Sequence, residues 1–444
     1  MFKNNKIIIL GMARSGYEAA KVLVKRNNEV ILNDKNIEQD KNHIKELKDL
    51  GVKVILGEHP LDLIDESIDY VIKNPGIKDS NEMIVKAYDL GIKVINEVEM
   101  AYRLLPKNIT LIGITGSNGK TTTTSLTYEI LKNAGLPVIL AGNIGYPLSS
   151  VLDKIKENDI LLMEISIQQL CNFKEFKTNI SVFTNIFDAH LDFVGNKENY
   201  INIKKRIFNG HTNEDYAILN YDNKEVIENT NDINSTKEYF SINNKDTLCY
   251  LDNNNIIYNN KILINTNDIL LKGNHNYQNV MAAVMVAKRI NISDEVIIDT
   301  LKNFKSVEHR IEFVREINGV KVYNDSKATN VKATEIALSS FNEPTILLLG
   351  GLDRGHSFND LTHHMKNVKL IISYGETKDR IKEYADSINI SCIVTDTLEN
   401  ASKIALDNSI SGDVILLSPA CASWDQFKDF EERGRLFKEY IDRY

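Results

Sequence analysis

Cysteine is scarce in this chain: Cys171, Cys249, Cys392 and Cys421 are the four in 444 residues, and no two form a C-x-x-C pair. Thiols so spaced cannot staple a chain this long, which suits a reducing compartment. Long apolar runs are missing too, since none approaches the ~20 residues that cross a bilayer. The start, MFKNNKIIILGMARSG, has no apolar stretch followed by small cleavage residues, so a cytoplasmic protein without membrane insertion is expected. An excess of cations is also absent. Lys plus Arg number 53 against 61 Asp plus Glu, a formal charge of −8, the wrong sign for a general nucleic-acid binder. Any anionic ligand must be met by local clusters of cations.

What is present is an ordinary globular balance, 43% hydrophobic and 26% charged, in a chain long enough for about three domains. Residues 1–96 alternate short β-branched runs (KIIIL, EVILND, KVILG, DYVIKNPG, IKVIN) with helix-period stretches such as GYEAAKVLVKR. That is the mark of βα units, because parallel strands need helical crossovers. Residues 97–306 open with the strand ITLIGIT, pass through PVILAG, DILLME and ISVFTNI, and then set YAILN, LCYLD, NIIYN and KILIN between Asn- and Asp-rich turns. The second half of this region reads as antiparallel ribbons. Residues 307–444 return to the βα pattern with GVKVYND, TILLLGG, KLIISYG, SCIVTD and DVILLSPA. No internal repeat stands out, and the Asn and Lys bias reads as base composition.

The most informative segment is Gly113-Ile-Thr-Gly116-Ser117-Asn118-Gly119-Lys120-Thr121-Thr122, which follows an apolar strand and opens a helix. Glycines let the backbone wrap phosphate oxygens, the helix N-terminus adds positive partial charge, Lys120 neutralises the β/γ-phosphates and Thr121 ligates Mg²⁺. The spacing departs from the strict phosphate-loop pattern, since five residues separate Gly113 from Gly119. Glu164 ends the apolar strand ILLME beside this loop and is the expected Mg²⁺ ligand. His190, in NIFDAHLD after the next strand, falls on the same edge and suits a second divalent ion or a phosphate. The cations Lys204-Lys205-Arg206 have a helical period and score as a solvated face.

Near the amino terminus, Gly11-Met-Ala13-Arg14-Ser15-Gly16 follows KIIIL, and Asp34 ends the next strand. Ala13 replaces the second glycine of a dinucleotide fingerprint, which weakens an NAD reading; Arg14 and Ser15 at a helix start still suit another diphosphate. The turn Asn74-Pro75-Gly76 belongs on the same sheet edge. In the last third, polar clusters follow strands at EHR (308–310), NDSKATN (324–330), GGLDRG (350–355) and SPACASWD (418–425), where binding groups concentrate.

Together, ILGMARSG, NPGI, GITGSNGKTTT, GNIG, HLD, GNHNYQN, EHRIE, NDSKATN, LLLGGLDRG and LSPACASWDQFKDFEERG resemble the Mur ligase family along nearly the whole chain, most closely its D-glutamate-adding branch. The resemblance implies an α/β protein of three domains in series: a Rossmann-like domain for a UDP-linked substrate, a central P-loop ATPase-like domain with a mixed sheet, and a C-terminal Rossmann-like domain for the amino acid. It implies an ATP-dependent ligase of peptidoglycan precursor synthesis, a monomer acting on UDP-N-acetylmuramoyl-L-alanine and D-glutamate with Mg²⁺ or Mn²⁺. Carried over residue by residue, Arg14, Ser15, Asp34, Asn74, Pro75, Gly76, Asn143, Gln169 and His190 would meet the UDP substrate. Gly116 to Thr122, Asn276, Asn279, Arg310 and Asp325 would surround ATP. Thr121, Glu164, His190 and Lys204 would serve the metal, with Lys204 carrying a CO₂-derived carbamate. Lys327, Thr329, Arg354, Ser423 and Phe430 would recognise D-glutamate. The chain departs from the family pattern at Ile167, where a serine is frequent, at Ala189, where many members have aspartate, and at Arg354, where some have lysine. An acyl phosphate intermediate needs protection from water, so closure around the substrates is expected.

Overall fold

The computed structural model describes residues 2–187, 191–304 and 307–444. Three sheets organise them. The first contains β1 (Lys6–Leu10), β2 (Glu29–Asp34), β3 (Lys53–Leu56), β4 (Tyr70–Lys73) and β5 (Lys93–Asn96) in the order β3-β2-β1-β4-β5, every pair parallel. Its strands are short β-branched runs buried on both faces, as helical crossovers require. The helix Ala13–Val24 supplies one cover, turning Tyr17, Ala19, Ala20 and Leu23 inward.

The second sheet contains β6 (Thr110–Thr115), β7 (Val138–Gly142), β8 (Ile160–Glu164), β9 (Ile180–Phe183), β10 (Tyr216–Asn220), β11 (Thr236–Ser241), β12 (Cys249–Asp252), β13 (Asn255–Tyr258) and β14 (Lys261–Asn265). The order is β14-β13-β12-β11-β10-β9-β6-β8-β7, a mixed sheet. The sequence expectation of antiparallel ribbons fails for YAILN: β10 pairs parallel with both β9 and β11. The short helix Lys224–Asn229 makes the crossover that parallel pairing needs. Antiparallel pairing starts at β12 and β13, where Asn253-Asn254 and Asn259-Asn260 all have positive φ and form the two-residue turns that match strand twist. Asparagine also caps helices at Asn81, Asn96, Asn196, Asn223 and Asn330, so the compositional bias is put to structural use.

The third sheet contains β15 (Glu312–Ile317), β16 (Val320–Asn324), β17 (Thr345–Gly350), β18 (Val368–Tyr374), β19 (Cys392–Val394) and β20 (Val414–Leu417), in the order β15-β16-β20-β17-β18-β19. All pairs are parallel except β15 with β16.

The chain divides into two compact units, Met1–Ile264 with Gln278–Thr300, and Asn265–Tyr277 with Leu301–Tyr444. The first unit thus holds both the first sheet and nearly all of the second. Glu99 joins the two sheets: its buried carboxylate accepts from the backbone N–H groups of Lys174, Glu175 and Phe176 at 3.1, 2.9 and 3.1 Å and from Arg103 Nε at 2.9 Å. A carboxylate so saturated is a strong tie in a low-dielectric setting.

Candidate active site

The central strand β6 delivers the glycine loop to the carboxyl edge of the second sheet. Its neighbours are β8, which ends in Glu164, and β9, which leads into residues 184–187. At Gly116 (φ +151°) a Cβ would collide with Thr184 Oγ1, which donates to Asn118 O at 2.6 Å; only glycine permits this approach. Ser117 N–H donates to Asn185 O at 2.9 Å and Asn118 N–H to Asn185 Oδ1 at 2.8 Å. Ser117 Oγ lies 2.7 Å from Tyr200 Oη. The helix Lys120–Asn133 then begins at Gly119 with no side chain capping it, leaving its positive end for an anion. Lys120 Nζ spans the loop, donating to Gly116 O and Ser117 O at 3.0 and 2.9 Å. Asn185 and Tyr200, which hold this loop, carried no signal of their own in the sequence.

Glu164 is buried, and its Oε1 accepts from Asn143 Nδ2 at 2.5 Å. Its Oε2 has no hydrogen-bond partner among the described residues. A buried carboxylate oxygen without a donor, beside a phosphate loop, fits a divalent cation.

The solvated-face reading of the cation cluster is overturned at Lys204. Helix Lys197–Lys205 turns Tyr200, Ile201, Ile203 and Lys204 inward, and Lys204 is 1% exposed. Its Nζ donates to Gly116 O at 2.9 Å and Thr115 Oγ1 at 3.3 Å. Burial and the nearby Lys120 charge hold its pKa well below the ordinary lysine value, against the pull of Glu164. Lys205 and Arg206 are half-buried and reach Asp232 and Cys171 O. Lys120, Glu164 and Lys204 thus share one centre, with two amines to one carboxylate. His190 lies outside the described residues.

At the carboxyl edge of the first sheet, β1 and its neighbours gather the expected set. Asp34 Oδ2 accepts from Met12 N–H at 2.7 Å, Asn74 Nδ2 donates to Ser15 Oγ at 2.9 Å, and Gly76 N–H donates to Asn74 Oδ1 at 3.0 Å. Arg14 is exposed at the helix start. Ala13 has φ +23°, so this turn is made despite the Cβ that the fingerprint glycine would omit. Gln169 has a structural duty: its Oε1 accepts from Ser166 N–H at 2.9 Å in a capping box, which leaves Nε2 for a ligand.

In the second unit, three loops leave the carboxyl ends of the adjacent strands β16, β20 and β17. Arg433, fully buried, stitches the first two together: Nε donates to Ser326 Oγ at 3.0 Å, Nη2 to Ser326 O at 2.8 Å and Nη1 to Cys421 O at 3.0 Å. Leu352 N–H donates to Ala422 O at 2.9 Å, stitching the second to the third. Asp325 is buried; Ser418 Oγ donates to its Oδ2 at 2.7 Å and Ile311 N–H to its Oδ1 at 3.2 Å. Burial pushes its carboxyl up to about 7 despite Ser418, Arg310 and Arg433. Lys327 Nζ lies 5.5 Å from the Phe430 ring centroid, and both line a cavity of about 500 Å³ together with Glu308, His309 and Arg435. Ser423 is buried on the β20 loop, Thr329 is half-buried on the β16 loop, and Arg354 lies on the β17 loop. Gly434 follows Arg433 because a Cβ there would strike the His309 ring. In the same unit, burial and the Arg310 charge bring His275 down to about 4. Helix Asn274–Arg289 carries Asn276, whose Nδ2 donates to Lys272 O at 2.8 Å, and Asn279, whose Oδ1 accepts from Thr123 Oγ1 at 3.3 Å.

A phosphate loop with a partnerless buried carboxylate oxygen on a mixed sheet, in a chain that also carries two parallel-rich sheets with polar carboxyl-edge loops, defines a nucleotide-dependent α/β enzyme. Three family models match in series: the Mur ligase MurD-like N-terminal domain over residues 5–96, the Mur ligase middle domain over 114–287 and the Mur ligase glutamate ligase domain over 309–421. The chain is 44% identical over 439 residues to a Geobacillus kaustophilus (strain HTA426) protein named UDP-N-acetylmuramoylalanine–D-glutamate ligase, spanning 98% of this chain and 97% of that protein. It is 43% identical to the protein of the same name from Bacillus cereus (strain G9842), over 100% of this chain and 98% of that one. Among solved structures, UDP-N-acetylmuramate-alanine ligase MurC from Thermotoga maritima aligns with a TM-score of 0.60 over 99% of both chains at 18% identity, a likeness of fold. The chain belongs to the Mur ligase family.

Proposed function

We infer that this chain is the D-glutamate-adding ligase of its family: it joins D-glutamate to UDP-N-acetylmuramoyl-L-alanine, converting ATP to ADP and phosphate, in peptidoglycan precursor synthesis. The observation that carries this reading is identity of 44% along essentially the full length of a protein bearing that name. We place the reaction in the cytoplasm, on a monomer, with domain boundaries after residues 96 and 306. No helix among the described residues is long and apolar enough to cross a membrane.

Amide formation from a carboxylate in water is uphill, so the carboxylate first needs a leaving group. An alanyl carboxylate oxygen attacks the γ-phosphorus of ATP, the bond to ADP breaks, and an acyl phosphate forms. The D-glutamate amine then attacks the acyl carbon, and the tetrahedral intermediate expels phosphate. The protein's part is positioning and charge compensation. Lys120 and the uncapped helix start hold the polyphosphate. Mg²⁺, when bound, supplies Lewis-acid neutralisation of phosphoryl charge, and Thr121, Glu164, His190 and Lys204 are the residues that would hold it.

Lys204 is the proposed carbamate site. Its depressed pKa favours the neutral amine, the form whose nitrogen attacks CO₂, releasing a proton and leaving a carboxylate where the centre has only Glu164. Asn276, Asn279, Arg310 and Asp325 are the proposed further ATP contacts. Arg14, Ser15, Asp34, the Asn74–Gly76 turn, Asn143 and Gln169 are proposed for the UDP substrate, and Lys327, Thr329, Arg354, Ser423 and Phe430 for D-glutamate.

The test follows the oxygens. With the alanyl carboxylate labelled with oxygen-18, one label should appear in released phosphate, and phosphate release should require all three substrates. Full ATP hydrolysis without the acid and amine would mark a P-loop NTPase that makes no amide and overturn the reading.

A further inference from the structure

Trp424 is the one tryptophan in the chain and is 63% exposed, an unusual place for so large an apolar face. Its face is not idle: the guanidinium carbon of Arg354 lies 4.8 Å from the indole centroid. The two residues stand on neighbouring loops, Arg354 after β17 and Trp424 after β20, and those strands pair in parallel. The Leu352–Ala422 bridge fixes both loops two residues upstream of the pair. The loop is held on its other side as well, with Asp353 paired to Arg380 and Asp353 N–H donating to Glu376 Oε2 at 3.2 Å. Arg354 itself has no carboxylate partner among the described residues.

We propose that Trp424 is a positioning residue for amino-acid recognition: the indole holds the Arg354 guanidinium flat, so that its edge N–H groups form a ready fork for a carboxylate of the incoming D-glutamate. Stacking uses the face of the guanidinium and leaves its in-plane donors unspent, whereas a salt bridge to a protein carboxylate would consume them. An arginine on a surface loop otherwise loses rotamer freedom when it captures a ligand, and a preformed stack removes part of that cost before binding. A lysine at position 354 would present a point charge with no plane to hold. The proposal rests on the D-glutamate reading above.

The test is steady-state kinetics on the full chain with all three substrates. Trp424→Ala should raise KM for D-glutamate roughly two- to fivefold, the scale of an exposed cation–π contact, with kcat and the KM values for ATP and the UDP substrate unchanged. Trp424→Phe should restore most of the loss. In an Arg354→Lys background, Trp424→Ala should add little, because the two act through one contact. Since Trp424 is the one indole, intrinsic fluorescence should change saturably on titration with D-glutamate in the wild type and not in Arg354→Ala. An unchanged D-glutamate KM in Trp424→Ala, or an equal penalty with Arg and Lys at 354, overturns this inference alone. A wild-type chain with no D-glutamate-dependent turnover overturns the functional reading and this inference with it.

Discussion

Replacing Asp325 by Asn should make the protein more stable and less active, with a pH dependence that identifies the cause. The Asp325 carboxyl is buried and pushed up from its ordinary 3.8 to about 7. The folded state therefore prefers the protonated acid, while the unfolded chain ionises it freely. Below pH 4 both states hold the proton and the group costs nothing; as pH rises from 4 to 7 the unfolded state sheds its proton first, and folding loses ground until about pH 7, above which the loss is constant. Each unit is worth about 1.4 kcal/mol, so between pH 5 and pH 7 the wild type should lose roughly 2–3 kcal/mol relative to a variant with nothing to titrate. Asparagine fits the site: Oδ1 keeps the Ile311 N–H, and Nδ2 donates to Ser418 Oγ, whose proton turns to Thr334 Oγ1 at 3.0 Å. At about 2–4 °C per kcal/mol for a unit of this size, calorimetry should show the transition of the Asp325 unit nearly equal in the two proteins at pH 4 and several degrees higher in Asp325→Asn at pH 8. ATP turnover at pH 8 should fall in the same variant. A gap that is the same at every pH, or an Asn variant that melts lower at pH 8, refutes burial as the source of the shift.

Glu164→Gln should keep the fold and the Asn143 contact but cut kcat by about 10²–10³, and half-maximal activity should need more Mg²⁺; an unaltered Mg²⁺ titration would remove Glu164 as a ligand. Lys204→Ala should abolish turnover, with partial rescue by a small carboxylic acid, and full activity without rescue would discard the carbamate. Arg433→Met leaves the carbonyls of Ser326 and Cys421 buried without their donor, a loss of about 1–3 kcal/mol for each, so the melting transition of its unit should drop by roughly 5–15 °C. Lysine at 433 should recover only part of this, because a point charge cannot replace a three-way fork.

What could be read from the residues depended on whether the chemistry is local in sequence. The phosphate loop is local: its glycines, Lys120 and Thr121 do their work within one turn, and they announced the centre before any fold was known. The pairing of β10 with β11 is not local. A crossover helix of six residues, Lys224–Asn229, set in an Asn-rich stretch, has too short a period to be told from a turn, so parallel strands read as ribbons. Lys204 shows the limit most clearly. Lys204, Lys205 and Arg206 are chemically alike and consecutive; which one turns inward is decided by the packing of Tyr200, Ile201 and Ile203 beneath the helix, and residue type carries no trace of it. Arg433 is hidden likewise, as one of three cations in an amphipathic helix of mixed charge.

Net charge misleads for the same reason of locality. A chain at −8 was expected to meet anions through clusters of cations, and the centre sets the amines of Lys120 and Lys204 against the Glu164 carboxylate alone. Distant surface carboxylates do not undo this, because salt screens exposed charges beyond ~8 Å while the buried Glu164 and Lys204 act through low dielectric. The arrangement has a cost, since burial strips the Lys204 ammonium of water and the Lys120 charge adds repulsion, and together they depress its pKa against the pull of Glu164. A centre that must receive a triphosphate and two carboxylates therefore keeps one amine at the phosphate loop and one whose ammonium form is disfavoured. A neutral amine can be modified where an ammonium cannot, so the same burial that limits the positive charge of the centre is what would open Lys204 to CO₂.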